Sequence, residues 1–206
     1  SIALSHIQTR VENMPIDAIL HIGDIAYNLA DNNGIVGDQF MTDIESVAGY
    51  VPYMTAVGNH EFAYNYSHYR NRFTMPNFNH NQNMLYSWNL GPAHIISFST
   101  EVYFIPYTRL ITNNTRPVSE QYDWLMEDLK IANMPKNRKN QPWIITMAHR
   151  PMYCSNPTVD ACTWPINPVR DGMLEGYTLQ YGLEDLFYEF EVDLELWGHE
   201  HTYERL

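Results

Sequence analysis

The sequence predicts an α/β layered fold, because short apolar runs alternate along the chain with segments of helical periodicity. Five apolar runs have the length of a strand, and amphipathic helical patterns lie between them. At 206 residues the chain suits one domain, and its 45% hydrophobic content is enough for a substantial core. Only 17% of the residues are charged, which is typical of a folded domain and not of a disordered tail.

The predicted strands are rich in aliphatic residues and end in turn-forming or polar residues. They cover residues 18–22, 51–57, 93–98, 143–147 and 192–197. Four of these runs end in Asp, Asn or His, and in three of the four a Gly comes directly before the polar residue. Since ligands in open α/β sheets bind beyond the carboxyl ends of the strands, these four ends form the predicted functional edge.

Amphipathic helices are predicted between the strands. One covers residues 39–47, and a second is capped by Ser119. A third follows the i, i+3, i+4, i+7 rule with Leu183, Leu186, Phe187 and Phe190. Residues 77–83 and 135–141 are predicted to be loops because they are polar and contain turn formers.

Charge and hydropathy exclude two classes of partner. The net charge is -12, whereas a surface that binds nucleic acid needs clustered Lys and Arg to replace counterions. No run approaches the ~18 consecutive apolar residues that predict a membrane span, and no signal-peptide pattern is visible. The same charge would repel an anionic substrate such as a phosphate. An enzyme acting on such a substrate would need a local cation, and bound metal ions are the strongest candidates.

Three weak signals in the sequence bear on the cellular location of the protein. Cys154 and Cys162 flank a short loop rich in turn formers, which favours a surface disulfide over the alternative of two free buried thiols. Glycosylation sequons begin at Asn65 and Asn113. Together these signals favour a secreted or lysosomal glycoprotein.

Metal-binding side chains are concentrated at the predicted functional edge. They comprise one carboxylate, one phenol, one amide and several imidazoles, namely Asp24, Tyr27, Asn59, His60, His149, His199 and His201. This mixture of hard and borderline donors suits iron, zinc or manganese, and it does not fit a structural zinc site built from cysteines.

Spacing and donor chemistry suggest roles for four of these residues. The two oxygens of Asp24 could bridge ions ~3.5–4 Å apart, as in two-metal hydrolases. His201 follows His199 by two residues, so each imidazole could face one ion of a pair. The Tyr27 phenol binds metal at neutral pH only if a strong Lewis acid such as ferric iron displaces its proton.

Four motifs occur in the order and approximate spacing of one known family: Gly23-Asp24-x-x-Tyr27, Gly58-Asn59-His60-Glu61, a single His149, and Gly198-His199-x-His201-x-x-Glu204-Arg205. In these motifs the chain resembles the purple acid phosphatases of the calcineurin-like metallophosphoesterase superfamily. Residues 91–102 and 149–156 resemble the animal purple-acid-phosphatase-like (acid phosphatase type 7) group. Tyr27 distinguishes the purple acid phosphatases from their manganese and zinc relatives.

The resemblance implies a layered β-sandwich of mixed sheets flanked by helices. It also implies acid phosphatase activity on small phosphate monoesters at a centre of Fe(III) plus a divalent Zn, Fe or Mn ion. Asp24 would bridge the ions, Tyr27 and His201 would bind Fe(III), and Asn59, His149 and His199 would bind the divalent ion. His60 would contact the substrate phosphate and protonate the leaving group while a metal-bound hydroxide attacks phosphorus.

The chain departs from the family pattern in two places. The family has a further iron ligand, an Asp in a Gly-Asp motif that would lie upstream of Ser1, and residues 1–13 resemble the helix after that motif. We therefore expect residues 1–206 to be a partial catalytic domain, without its first strand or any N-terminal β-sandwich domain. No His lies between His149 and His199, where plant members hold phosphate, and Arg150 is the candidate replacement.

Several alternatives stay open at this point. One is a nucleotide or phosphodiester hydrolase on the same scaffold, and another is a secreted metal-binding glycoprotein without catalysis. A homodimer is also considered. Glu61 either orients His60 or is an exposed loop carboxylate.

Overall fold

The computed structural model describes residues 2–13, 16–104, 118–156, 160–175 and 177–206. Within these ranges the helices are α1 (Ile2–Asn13), α2 (Ile35–Ala48), α3 (Ala63–Arg72), α4 (Phe78–Asn81), α5 (Val118–Ala132), α6 (Pro135–Asn140), α7 (Pro168–Asp171) and α8 (Leu183–Glu189). The strands are β1 (Ile19–Ile22), β2 (Tyr53–Ala56), β3 (Tyr86–Leu90), β4 (Ala93–Ser97), β5 (Trp143–Ala148), β6 (Gly172–Glu175), β7 (Thr178–Tyr181) and β8 (Leu194–Trp197).

The strands form separate sheets of mixed direction. β1 and β2 make a parallel pair. The larger sheet has the order β3-β4-β5-β8, in which β3 is antiparallel to β4 while β4, β5 and β8 run parallel. A small antiparallel hairpin of β6 and β7 stands apart. The predicted class of mixed sheets flanked by helices is confirmed.

Alternating side chains build the layers on both faces of the larger sheet. Ile95 and Ile145 face the cluster that also contains Ala56, Leu20 and Ile22 of the smaller sheet. Their neighbours along the strands, Ile96 and Ile144, pack on the opposite face against the helices α5 and α8. Since successive strand residues point to opposite faces, two adjacent isoleucines serve two different cores.

The outer face of the smaller sheet is covered by helices α2 and α3. Ile44 of α2 and the fully buried tyrosines Tyr66 and Tyr69 of α3 belong to this cluster. The order of layers is therefore helix, sheet, sheet, helix.

The structure corrects two loop predictions. Residues 135–140 form helix α6, with Pro135 in its first turn, where the missing proline N–H costs no hydrogen bond. Residues 78–81 form the single turn α4. Their polar composition indicated loops because solvent-exposed helices without an apolar face lack a periodic signal. Ser119 was predicted to cap a helix, but it lies inside the first turn of α5, which begins at Val118.

Three strands had no clear pattern in the sequence. β3 joins β4 by a tight turn in which Gly91 has φ +53°, a conformation that favours glycine. Strands β6 and β7 are short and carry exposed side chains such as Leu174 and Leu179, so they lack the alternation of a half-buried strand.

The parallel strands bring four carboxyl ends to one edge of the molecule. These ends belong to β1, β2, β5 and β8, two from each sheet. Among the described residues, no helix is long and apolar enough to cross a membrane.

Candidate metal centre

Four predicted ligands meet around one imidazole nitrogen, His149 Nε2. Asp24 Oδ2 and Asn59 Oδ1 each lie 3.1 Å from it, and His199 Nδ1 lies 3.2 Å from it. Asp24 and His149 are buried, so these atoms face a small shielded space. Asp24 and Asn59 come from the exits of β1 and β2, whereas His149 and His199 come from the exits of β5 and β8.

The separations fit a cation placed between the four atoms. Two ligand atoms that each lie about 2.1 Å from a tetrahedral ion are roughly 3.4 Å apart. The ligand atoms of Asp24, His149 and His199 all lie within 4.8 Å of one another. One anionic oxygen, one amide oxygen and two imidazoles are a donor set suited to zinc, iron or manganese.

A backbone carbonyl determines which nitrogen His149 offers. His149 Nδ1 lies 2.8 Å from the carbonyl oxygen of Ile22, which only accepts, so the ring proton belongs on Nδ1. The lone pair of Nε2 is then free for a metal ion, which is the usual arrangement for a ligating histidine. Gly198 N–H donates to the His149 carbonyl at 2.8 Å and ties the β5 and β8 exits together.

Glu61 holds the two exits of the smaller sheet in place. Its carboxylate accepts from the backbone N–H groups of Asp24 at 2.9 Å, Ile25 at 2.7 Å and Gly58 at 2.8 Å. Only 2% of Glu61 is exposed. Both sequence-based interpretations of this residue were therefore wrong: it is neither an exposed carboxylate nor a partner of the His60 ring.

Charge and burial act in opposite directions on the two carboxyls. Burial raises the pKa of Glu61 to about 7, although its three N–H donors oppose that shift. Burial also disfavours the Asp24 anion, but the hydrogen bond and charge of His149 outweigh burial and lower the pKa of Asp24. Asp24 is therefore ready to bind a cation as a carboxylate.

Two glycines leave no room for a side chain at the exits of β1 and β2. A Cβ atom on Gly58 would lie 2.5 Å from Asp24 Oδ1. A Cβ atom on Gly23 would lie 2.6 Å from His149 Nδ1, and Gly23 also has φ +86°. The Gly-Asp and Gly-Asn-His motifs thus reflect close backbone approach as well as turning.

A second pair of predicted ligands lies beside this group. Tyr27 Oη is 2.8 Å from His201 Nε2, and both residues are exposed. The Tyr27 ring also packs against the His60 ring, with 4.5 Å between the centroids. His60 N–H donates to Asp24 Oδ1 at 3.1 Å, so His60 joins the two groups of ligands.

His60 is oriented by Asn28. His60 Nδ1 lies 2.7 Å from Asn28 Oδ1, while the Asn28 amide nitrogen donates to Asp31 Oδ2 at 3.1 Å. Because the amide oxygen accepts, the His60 proton belongs on Nδ1 and Nε2 stays available.

Arg150 is anchored next to the ligand His199. Its Nε donates to both carboxylate oxygens of Glu101 at 2.9 and 3.1 Å, and Glu101 is 1% exposed. Its Nη1 lies 2.9 Å from His199 Nε2. A fixed guanidinium beside the metal-binding edge is suited to an anionic substrate.

Several of these residues adopt strained backbone conformations. Asp24 has φ 55°, Tyr27 has φ 39° and His199 has φ 67°, a region that non-glycine residues rarely occupy. Such strain persists only where the surroundings enforce it, and it concentrates at functional sites.

The compartment signals have mixed outcomes. Cys154 and Cys162 form a disulfide, with 5.3 Å between their Cα atoms. Asn65 lies half-buried in α3, and its Oδ1 accepts from Arg70 at 3.3 Å. Asn113 lies outside the described residues. Glycosylation at both positions stays a prediction.

Sequence reasoning missed three residues next to the ligands: Asn28, Glu101 and Asp160. Asn28 follows Tyr27 directly, so a search for partners of His60 in the same loop could have found it. Asp160 Oδ2 lies 2.7 Å from His199 Nε2, although the two residues are 39 positions apart in the chain. Neither Asp160 nor Glu101 belongs to a motif, and only tertiary contacts reveal them.

Residues 3–203 match the family described as calcineurin-like phosphoesterase, which is nearly the whole chain. The chain belongs to the calcineurin-like phosphoesterase family. This family match agrees with the resemblance found in the motifs.

The relatives of this calcineurin-like phosphoesterase include proteins named acid phosphatase type 7. One from Homo sapiens is 58% identical over 191 residues, 92% of this chain and 41% of that protein. One from Danio rerio is 54% identical over 204 residues, 99% of this chain and 45% of that protein. A probable inactive purple acid phosphatase 9 from Arabidopsis thaliana is 28% identical over 98% of this chain and 31% of that protein. The chain spans less than half the length of these relatives.

Proposed function

We propose that this protein is an acid phosphatase that hydrolyses small phosphate monoesters at a dinuclear centre of Fe(III) and a divalent Zn, Fe or Mn ion. The observation that carries the proposal is the convergence of Asp24, Asn59 and His199 on His149 Nε2 at 3.1–3.2 Å. The family match and the relatives named acid phosphatase type 7 support the same activity.

The ligands divide between the two ions according to their chemistry. We assign Asn59, His149 and His199 to the divalent ion, and Tyr27 and His201 to Fe(III), which favours a phenolate. Asp24 Oδ2 contacts His149 while Oδ1 accepts from His60 N–H, so its two oxygens face opposite sides. This placement suits a bridging carboxylate.

We assign two tasks to protein side chains: binding the phosphate group and transferring a proton to the leaving alcohol. The ions would supply Lewis acidity to the phosphate and an activated water. As an imidazolium, His60 is assigned to give its Nε2 proton to the leaving alcohol, while its Nδ1–H stays bonded to the Asn28 amide oxygen. The Arg150 guanidinium is assigned to bind phosphate oxygen, since Glu101 holds it at the edge of the site.

The test combines metal content, colour and activity of the complete polypeptide. We expect about two transition-metal ions per chain, at least one of them iron, and a visible band from the Tyr27 phenolate bound to Fe(III). The substitution Tyr27→Phe should abolish that band. The matched control is Tyr188→Phe, which removes the hydroxyl of an exposed tyrosine on α8 and should leave the band unchanged.

The substrate class is tested with matched phosphate monoesters, phosphodiesters and nucleotides. Faster turnover of the monoesters at acidic pH supports the proposal. Preference for diesters or nucleotides would transfer the assignment to that activity on the same scaffold. A colourless, iron-free protein without turnover would instead favour a secreted metal-binding glycoprotein. The disulfide is compatible with the proposed secreted or lysosomal location.

A further inference from the structure

The two ring nitrogens of His199 face different partners. Nδ1 lies 3.2 Å from His149 Nε2, on the side of the proposed divalent ion. Nε2 lies 2.7 Å from Asp160 Oδ2. A neutral imidazole carries one proton, and a carboxylate only accepts, so the Asp160 contact places the proton on Nε2. The lone pair is then on Nδ1, the nitrogen that faces the other ligands.

Arg150 Nη1 lies 2.9 Å from the same nitrogen, and as a donor it would favour a lone pair on Nε2. The contact with the Asp160 carboxylate is shorter, at 2.7 Å, so we place the proton on Nε2. Arg150 is held by Glu101, and its Nη1 lies 3.7 Å from Asp160 Oδ1. Arg150 thus supports the Asp160 carboxylate.

The backbone around Asp160 is held in place by hydrogen bonds and a disulfide. It directly precedes the turn Ala161–Thr163, and its side chain accepts from Ala161 N–H. Cys162 in that turn is bonded to Cys154, four residues beyond Arg150. The fully buried Asn167 amide donates to the carbonyls of Pro151, Met152 and Ala161 at 3.1–3.2 Å. These bonds tie the Asp160 turn to the β5 exit that carries His149.

We propose that Asp160 is a positioning residue of the metal centre, which holds His199 in the tautomer and orientation that present Nδ1 to the divalent ion. Histidines that bind metal ordinarily donate their other ring N–H to a carboxylate or carbonyl, and loss of that partner weakens metal binding about 10- to 100-fold. His149 uses the Ile22 carbonyl for this purpose, and His199 uses Asp160. The inference rests on the proposed metal centre and adds a residue to it.

The test measures metal affinity directly in the complete polypeptide. The dissociation constant for Zn²⁺ and the visible spectrum of the Co²⁺-substituted protein are compared for wild type, Asp160→Ala and Asp160→Asn. We expect about 10- to 100-fold weaker Zn²⁺ binding in Asp160→Ala, with an altered Co²⁺ spectrum. Asp160→Asn keeps the shape but removes the charge, so a smaller loss is expected. The control is Asp123→Asn, which removes one charge from an exposed site on α5 and should leave both readouts unchanged.

The possible outcomes separate the two proposals. Unchanged Zn²⁺ affinity and Co²⁺ spectrum in a folded Asp160→Ala protein would overturn the role of Asp160 and leave the proposed function intact. Failure of the wild type to bind any divalent ion would overturn the proposed function and this inference with it. Loss of one whole ion equivalent in Asp160→Ala, from two to one, would make Asp160 a ligand and would also overturn the positioning role. Near-ultraviolet circular dichroism establishes that each variant is folded.

Discussion

At the scale of single residues, proton positions set by hydrogen bonds decide what the site can do. His149, His60 and His199 each face an acceptor with one nitrogen: the Ile22 carbonyl, the Asn28 amide oxygen and the Asp160 carboxylate. Each imidazole therefore keeps its other nitrogen free. The residue types alone predict a metal site, and these contacts determine which atoms are available to it.

Glu61 supports the first prediction at this scale. The substitution Glu61→Ala leaves the buried N–H groups of Asp24, Ile25 and Gly58 without their acceptor, so we expect the free energy of unfolding to fall by about 3 kcal/mol or more. Denaturant titration measures the loss. Glu127→Ala, an exposed change on α5, is the control and should stay within about 0.5 kcal/mol of wild type. Equal stability of the two variants would contradict the role of Glu61.

His21 leads to a prediction about pH. Burial lowers the pKa of His21 from 6.5 to about 4, while Asp24 opposes this shift and His149 adds to it. The unfolded chain takes up a proton near pH 6.5 and the folded chain does not, so acid favours unfolding between pH 6.5 and about 4. Above pH 7 both forms are neutral and the effect vanishes.

The measurement compares wild type with His21→Asn, which cannot take up that proton. Relative to the variant, the wild type should lose up to about 3 kcal/mol of unfolding free energy as the pH falls through this window. Unfolding in the presence of a chelator removes the contribution of metal binding. Parallel curves for the two proteins across the window would refute the prediction.

At the scale of elements, the strand exits matter more than the strands themselves. Each of the four exits turns sharply, and glycines at Gly23, Gly58 and Gly198 let the backbones approach the ligands closely. This crowding explains why short strands of four to six residues deliver side chains so accurately. The geometry of the site is built into the turns.

The substitution Gly23→Ala tests this crowding, with Gly91→Ala as its matched control. Both glycines have positive φ, but a Cβ atom on Gly91 meets nothing within 4 Å, whereas one on Gly23 meets His149 Nδ1 at 2.6 Å. Gly91→Ala should cost about 1 kcal/mol of backbone strain and leave metal affinity unchanged. Gly23→Ala should cost several times more and weaken Zn²⁺ binding, as measured by denaturation and metal titration. Similar losses of stability and Zn²⁺ affinity in both variants would mean that backbone strain at positive φ, and not crowding by His149, explains the effect.

At the scale of the whole molecule, the metal centre joins two sheets. Asp24 and Asn59 come from the β1–β2 sheet, and His149 and His199 come from the four-stranded sheet. A cation bound by all four residues would link layers that otherwise meet through the apolar cluster around Ala56, Ile95 and Met147. The same cation would offset part of the net charge of -12 for an incoming anion.

Metal binding should therefore stabilise the whole fold. At a free Zn²⁺ concentration 100 times the dissociation constant, the free energy of unfolding should rise by about 2.7 kcal/mol. His149→Ala should lose most of this gain because it removes the ligand at the centre of the group. His6→Ala removes an exposed imidazole on α1 and should keep the gain. Thermal or chemical denaturation with and without Zn²⁺ gives the result, and an equal gain in His149→Ala would contradict the arrangement.

The sequence predicted the strands correctly where the hydrophobic pattern was strong. The strands at β1, β2, β4, β5 and β8 were predicted within two residues at each end, since aliphatic runs bounded by turn formers are characteristic. Helix α6 and the β6–β7 hairpin were missed because neither has an apolar periodicity. Their structure depends on neighbouring segments, which a local pattern does not contain.

The sequence by itself determined the donor atoms, their order along the chain and the glycines that let the strand exits turn, because residue type and backbone preference are local properties. Only the tertiary structure decided that Glu61 braces two exits and that Asp160 faces His199. Those contacts join residues 36 to 39 positions apart and depend on which strands lie side by side within each sheet. Local chemistry specifies what each side chain offers, whereas the pairing of distant strands specifies which atoms meet.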